Sequence, residues 1–187
     1  MKKQVILILF FLVTIISFSQ EKLKKQTRIT FNFISIGVDY EFPVNDKFLI
    51  DFGFGIGAGN SIRKTILNTN KFSPSITTFI PLRLKSAIKY IYNRKKRFQK
   101  EKNNTNNSGN YLSFQLLYTT SQKERNFIKP SSPNNALLTE IFWGMQRSLG
   151  GNWLFDIHFG LGYAKDFDTK LDKIYPALGL EFSYVIF

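Results

Sequence analysis

The chain has 187 residues, 43% of them hydrophobic and 16% aromatic, which suits one domain of ordinary size and excludes a disordered protein. It contains no cysteine, so a thiolate-ligated metal, a thiol nucleophile, a disulfide framework and a lipidated cysteine are all excluded. The formal charge of +13 suits anionic lipid, cell-wall polymer and nucleic acid alike, and compartment has to choose among them.

The compartment is read from the start of the chain. Met1, Lys2 and Lys3 form a positive segment, Val5 to Ile16 is apolar apart from Thr14, and Ser17-Phe18-Ser19 offers small residues at the two positions that a signal peptidase reads. An apolar run of about 12 to 14 residues is short of the roughly 20 that cross a bilayer as a helix. The expectation is a cleaved signal peptide over residues 1–19 and one mature domain over 20–187. Removing Lys2 and Lys3 lowers the charge from +13 to +11. No later segment approaches 18 consecutive apolar residues, and export removes nucleic acid as a partner.

Beyond Lys25 the hydrophobic pattern has period two, the signature of strands, and abundant Phe and Tyr fit pleated surfaces. Eight strands are predicted near residues 24–32, 34–42, 48–59, 75–89, 111–121, 137–148, 152–164 and 174–187. In the third, Ile50, Phe52, Phe54 and Ile56 form one face and Asp51, Gly53, Gly55 and Gly57 the other. Trp153 to Tyr163 repeats the dyad, with Asp156, His158, Gly160 and Gly162 on the small face, and so does the stretch from Leu178, with Gly179, Glu181 and Ser183 opposite Leu180, Phe182 and Tyr184. Weaker copies are Ile80, Leu82 and Leu84 against Arg83 and Lys85, and Leu112, Phe114, Leu116 and Tyr118. Ile141, Trp143 and Met145 form another, and the N-terminal strands set Ile29, Phe31, Ile36, Val38 and Tyr40 against Arg28, Gly37 and Asp39. A soluble barrel would carry Lys, Glu and Thr on its polar face; a ladder of Gly with a few charges fits a narrow lumen behind a lipid-facing wall. About 9 to 11 tilted residues is also the length of a membrane-spanning strand. The fold expected is therefore an all-β, antiparallel, up-and-down transmembrane barrel of eight strands.

Short turns at 43–46 and 149–152 alternate with longer polar loops near 60–73, 122–136 and 165–173, as in outer-membrane barrels. The stretch from Tyr90 to Asn110 departs from this rule. It holds Arg94, Lys95, Lys96, Arg97, Lys100 and Lys102 and then an Asn-rich tail, yet strand counting puts it on the periplasmic side. Near a charged membrane each such cation contributes on the order of 1 kcal/mol, so contact with anionic lipid or cell-wall polymer is the functional reading and a solvated loop the plain one.

Arg28, Asp39, Asp51, Arg83, Lys85, Glu140, Asp156, His158 and Glu181 share the inward face, and buried charges persist only when paired, so a lumenal ion-pair network is expected. His158 with Asp156 could suggest a Ser-His-acid hydrolase, but no Gly-x-Ser-x-Gly context accompanies it. Gly53-x-Gly55-x-Gly57 lies within a strand and lacks the helix and the Gly-Lys-Ser/Thr ending of a phosphate loop. No catalytic, metal or cofactor residue is assigned. Trp143, Trp153, Tyr163, Tyr175 and Tyr184 suit interfacial girdles.

The leader, the dyad strands, Ile80-Pro81-Leu82-Arg83-Leu84-Lys85, Gly160-Leu161-Gly162-Tyr163 and the closing Phe187 together resemble the small eight-stranded outer-membrane barrels of OmpA/OmpX-like architecture, nearest to a group common in Bacteroidota. The resemblance covers nearly all of the mature chain. It implies that Phe182, Tyr184 and Phe187 are read by the barrel-assembly machinery. Phe187 falls in the parity of Glu181 and Ser183, so that role needs a bend or bulge near Val185. The expected function is a non-enzymatic barrel, its lumen filled by side chains, serving envelope integrity or surface interaction among outer-membrane lipids. A narrow pore for small solutes is the alternative, and a lipid-modifying enzyme the third reading.

Overall fold

The computed structural model describes residues 22–33, 35–57, 59–66, 72–79, 81–120, 135–167, 170 and 172–187, with 59–66 and 72–79 given as backbone alone. The expected signal peptide lies outside the described residues. The strands are β1 Gln26–Asn32, β2 Ser35–Pro43, β3 Phe48–Gly57, β4 Gly59–Ile66, β5 Phe72–Phe79, β6 Leu82–Ile91, β7 Gly109–Thr119, β8 Ala136–Gly150, β9 Trp153–Asp166 and β10 Asp172–Val185, and helix α1 is Arg94–Gln99. Eight of them close a barrel in the order β1-β10-β9-β8-β7-β6-β3-β2, every described pairing antiparallel, while β4 and β5 pair with each other as a separate two-stranded sheet.

The all-β, up-and-down barrel expected from the dyads is the fold observed, with one revision of the elements. The predicted strand at 75–89 is two strands, β5 and β6, and part of the predicted loop at 60–73 is β4. The break falls at Pro81, whose ring removes a ladder donor; its carbonyl instead accepts from the Gly57 amide at 3.1 Å, so the barrel ladder restarts at Leu82.

An even strand count puts the lead into β1 and the end of β10 at one end of the barrel. The turns after β2 and β8 and the α1 connection after β6 lie at this same end, called here the closing end. Its tight turns have local causes. The Asn45 carboxamide oxygen accepts from the amides of Lys47 and Phe48, each at 2.9 Å. Gly150 and Gly151 supply the positive φ values, 110° and 53°, that the β8–β9 turn requires.

Side-chain alternation makes the barrel apolar outside and charged inside. Phe52, Phe54, Ile141, Phe159, Leu161 and Leu178 stand exposed on the outer face, while Arg28, Glu41, Asp51 and Asp156 are buried in the lumen. A water-soluble barrel has the reverse polarity. The registers also fix the bore. Followed round the ladder, Arg28 leads through Asp39, Gly53, Lys85, Leu117, Leu138, Ala164 and Lys173. Extending the β10–β1 register sets Lys173 against position 40 of the β1 line rather than 28, a stagger of 12 residues. Such a stagger tilts the strands and widens the bore beyond what a smaller one would give.

Candidate functional site

The lumen divides into a packed half and a hollow half. In the packed half, toward the closing end, Arg28 on β1 donates from Nη1 to Glu41 Oε1 at 2.7 Å and from Nη2 to Asp51 Oδ2 at 2.8 Å, with Asp39 Oδ2 at 3.5 Å. Lys89 on β6 reaches Glu41 Oε1 at 2.8 Å and Asp51 Oδ2 at 3.0 Å. Lys85 pairs with Asp39 and stands 3.4 Å from Asp51 Oδ2. These residues meet because each has the inward parity of its strand, and because Gly53, between Asp39 and Lys85 in the register, has no side chain to separate them. Three carboxylates face three cations, the condition under which buried charge is tolerated. Gln26 adds a donor to Glu41 Oε2 at 2.5 Å.

Below this network the connection that looked like a solvated basic loop folds into the barrel mouth. Asn106 and Asn107 take positive φ (52° and 56°), a conformation Asn tolerates. Asn107 accepts from the Lys24 amide at 2.9 Å and donates to the Lys24 carbonyl at 2.8 Å and to Glu41 Oε2 at 3.1 Å. Gln146 Nε2 donates to the Asn106 carbonyl at 3.0 Å, and the Ser148 amide to Ser108 Oγ at 2.8 Å. Buried Leu23, Leu49, Ile91, Tyr111 and Phe142 form an apolar cluster around this mouth. Of the predicted basic cluster, Lys95, Lys96, Lys100 and Lys102 stay exposed and Arg94 is half-buried against the Asn104 carbonyl. Arg97 departs from the solvated expectation. It is buried, donates to Asn104 Oδ1 at 3.2 Å and to the Asn103 carbonyl, and desolvation lowers its guanidinium from the ordinary value.

The hollow half revises the expectation of a lumen filled by side chains. A cavity of about 310 Å³ is lined by Arg83, Lys85, Gln115, Glu140, His158 and Glu181, among others. The wide bore and the inward glycines of β3, β9 and β10 leave this space. Around it, the Tyr111 hydroxyl donates to Asp156 at 2.8 Å, and Glu140 accepts from the Tyr175 hydroxyl at 2.6 Å and from Gln115 Nε2 at 2.7 Å. The His158 ring stacks on Phe142 with centroids 4.3 Å apart, and its Nδ1 lies 3.5 Å from Asp156 Oδ1. Tyr175 and His158 rest on Gly162 and Gly179, where a Cβ would collide with their rings. Arg83 Nη1 donates to Ser35 Oγ at 2.5 Å, and Glu181 accepts from Ser183 Oγ at 3.4 Å.

Comparison with family models, with curated proteins and with solved structures finds nothing that matches this chain. Geometry alone carries the reading of the site.

All nine charged residues singled out from the sequence line the lumen, but they do not form one network. Arg28, Asp39, Asp51 and Lys85 meet, with Glu41 and Lys89 added; Glu140, Asp156, His158, Glu181 and Arg83 belong to the hollow half. Glu41 and Lys89 are one dyad step beyond Asp39 and two beyond Lys85, so parity could have found them. Asn107 gives no such signal.

On the outer face, Trp153 packs edge-on against Tyr184 at 5.1 Å, and Trp143 Nε1 donates to the Tyr92 hydroxyl at 2.7 Å. Tyr163 is also outward, but Tyr175 is not a girdle residue, because it shares the inward parity of Gly179 and Glu181. Phe182 faces outward beside Phe155. The β1–β10 register is continuous to Val185; just past it the Ile186 amide donates to the Thr27 carbonyl at 2.8 Å while the Thr27 amide donates to the Phe187 carbonyl at 2.6 Å, so two residues oppose Thr27, an irregularity at the place where a bend or bulge was expected, and Phe187 is 77% exposed.

Proposed function

We propose that this chain is exported, sits in an outer membrane and serves envelope integrity or surface contact as a barrel that passes no solute along its axis. The observation that carries this reading is the filled closing end, where Arg28 joins Glu41 and Asp51 and reaches across the bore to Gln146 Oε1 on β8 at 3.4 Å, and Asn107 ties the α1 connection to Glu41 and Lys24. Opening that path would expose paired charges and separate them at a cost of several kcal/mol.

Membrane insertion is supported by the polarity of the wall. Its outer face is a continuous apolar belt with Trp153, Tyr184 and Tyr90 toward the closing end, where interfacial aromatics straddle head groups and lipid. Partners follow from this placement: outer-membrane lipids around the belt, the assembly machinery during insertion, and anionic lipid or cell-wall polymer at Lys95, Lys96, Lys100 and Lys102.

Two measurements test the reading. The protein recovered from the outer-membrane fraction should migrate differently on a gel before and after boiling, and a soluble periplasmic protein with no heat shift would end the membrane claim. In planar bilayers it should give no discrete, reproducible openings. Such openings would favour the narrow-pore alternative, for which the 310 Å³ cavity supplies half of a path.

A further inference from the structure

The barrel wall is uneven in height. β1 has 7 residues and β10 has 14, and their ladder joins Arg28–Asn32 to Glu181–Val185. Among the described residues no strand pairs with the β1-facing edge of β10 from Asp172 to Leu180. Among the described residues the wall is therefore low above Asn32, where β1 turns into β2, while β10 runs on beside it to Asp172. Ile174 and Leu178 beside this notch are each 73% exposed on the outer face.

The cavity reaches this notch. Its lining includes Phe33 at the end of β1 and Leu178 and Leu180 on β10, residues of outward or rim position, together with inward Arg83, Glu181 and His158. Inward and outward-facing residues thus border one cavity at this seam. Most of its charges are already satisfied: Lys85 by Asp39, Glu140 by Tyr175 and Gln115, Asp156 by Tyr111. Arg83 and Glu181 differ. Among the described residues each holds a single hydrogen bond, Arg83 to the hydroxyl of Ser35 and Glu181 to that of Ser183, whereas Glu140 holds two donors and Asp156 is bonded at both oxygens. A guanidinium fork suits a phosphate, and a carboxylate suits an ammonium. The cavity lies at the small end of the range for ligand pockets, room for a head group but not for two acyl chains.

We infer that the β1–β10 seam is a side portal that seats the head of a single-chain zwitterionic phospholipid in the cavity. Its phosphate faces Arg83, its ammonium faces Glu181, and its chain passes out along Leu178 and Ile174. The inference rests on the membrane placement proposed above and goes beyond it, since a barrel closed along its axis would still take a ligand from the side.

The chain has no native cysteine, so one engineered disulfide can close the portal. The register that pairs Asn32 with Glu181 would next pair Phe33 with Leu180, which makes Phe33→Cys with Leu180→Cys the clamp. The mature protein and this double variant are placed in phosphatidylcholine nanodiscs and titrated with a lysophosphatidylethanolamine labelled at its chain end. Saturable one-to-one binding is expected for the wild type and the reduced variant. Oxidation should weaken it at least tenfold, reversibly, and Arg83→Gln should weaken it about tenfold. Absence of saturable binding by the wild type, or equal affinity in the oxidised and reduced variant, overturns the portal. Should the cysteine pair fail to fold or to cross-link, Arg83→Gln decides, unchanged affinity being the refutation. The heat shift of the same samples separates the two proposals: a retained shift without binding removes the portal alone, and a wild type with no shift removes the membrane placement and the portal together.

Discussion

Arg28→Met removes the cation that holds the packed half of the lumen together. Arg28, Glu41 and Asp51 are buried, and Arg28 donates separately to Glu41 at 2.7 Å and Asp51 at 2.8 Å. The wild-type cluster of Arg28, Lys85 and Lys89 with Asp39, Glu41 and Asp51 is neutral, so the variant carries one uncompensated buried negative charge. Breaking a buried pair in this way costs about 3 to 5 kcal/mol, whereas removing both partners is far milder. A second change that restores neutrality, Arg28→Met with Glu41→Gln, should therefore recover more than half of the loss. Unfolding in urea from lipid vesicles, followed by the gel shift between folded and boiled forms, measures both. A single variant that loses less than about 1 kcal/mol, or a double variant no more stable than the single, would refute the argument that pairing is what makes these charges tolerable.

Asn107→Ala leaves Glu41 with one donor fewer and cuts both bonds to Lys24; a loss of about 1 to 3 kcal/mol is expected, with a rise in leak current across planar bilayers relative to the silent wild type. Gly162→Val drives a side chain into the Tyr175 ring and should cost about 1 to 3 kcal/mol in the same urea assay, most of it recovered when Tyr175→Ala makes room. Changing Lys95, Lys96, Lys100 and Lys102 to Gln should weaken adhesion of the purified protein to anionic vesicles by on the order of 1 kcal/mol per lysine near the surface, with the difference shrinking at high salt; equal adhesion in a flotation assay would remove the electrostatic contact.

The wall of this barrel was legible because its two faces differ so sharply. Phe52, Phe54 and Ile56 against Gly53, Gly55 and Gly57 admit one assignment of inside and outside, since a slip of one residue would exchange the faces. The same parity put the predicted charges into the lumen. It did not say which of them meet, because contact depends on the stagger between strands, which brings Glu41 rather than Glu181 into an ion pair with Arg28. Three features lay beyond periodicity. Pro81 divides what reads as one strand, the Asn-rich stretch folds into the mouth through side-chain bonds to distant residues, and the hollow half follows from bore width rather than from any local pattern.

The two halves of the lumen differ in what their polar groups already have. Toward the closing end Arg28, Lys85 and Lys89 face Asp39, Glu41 and Asp51, and the Asn107 bonds cover the cluster, leaving only Arg28 Nε and Asp51 Oδ1 among its side-chain polar atoms buried without a partner. In the hollow half, among the described residues, Arg83 and Glu181 hold one serine hydroxyl each, beside a notch made by a β1 half as long as β10. Strand length and pairing thus point the same way. The short strand lowers the wall at the height where Arg83 and Glu181 hold single hydrogen bonds, and the long loop covers the end where the ion pairs lie. A pore would need the reverse, a clear path through the closing end and an unbroken wall. The arrangement therefore favours entry from the side over passage along the axis.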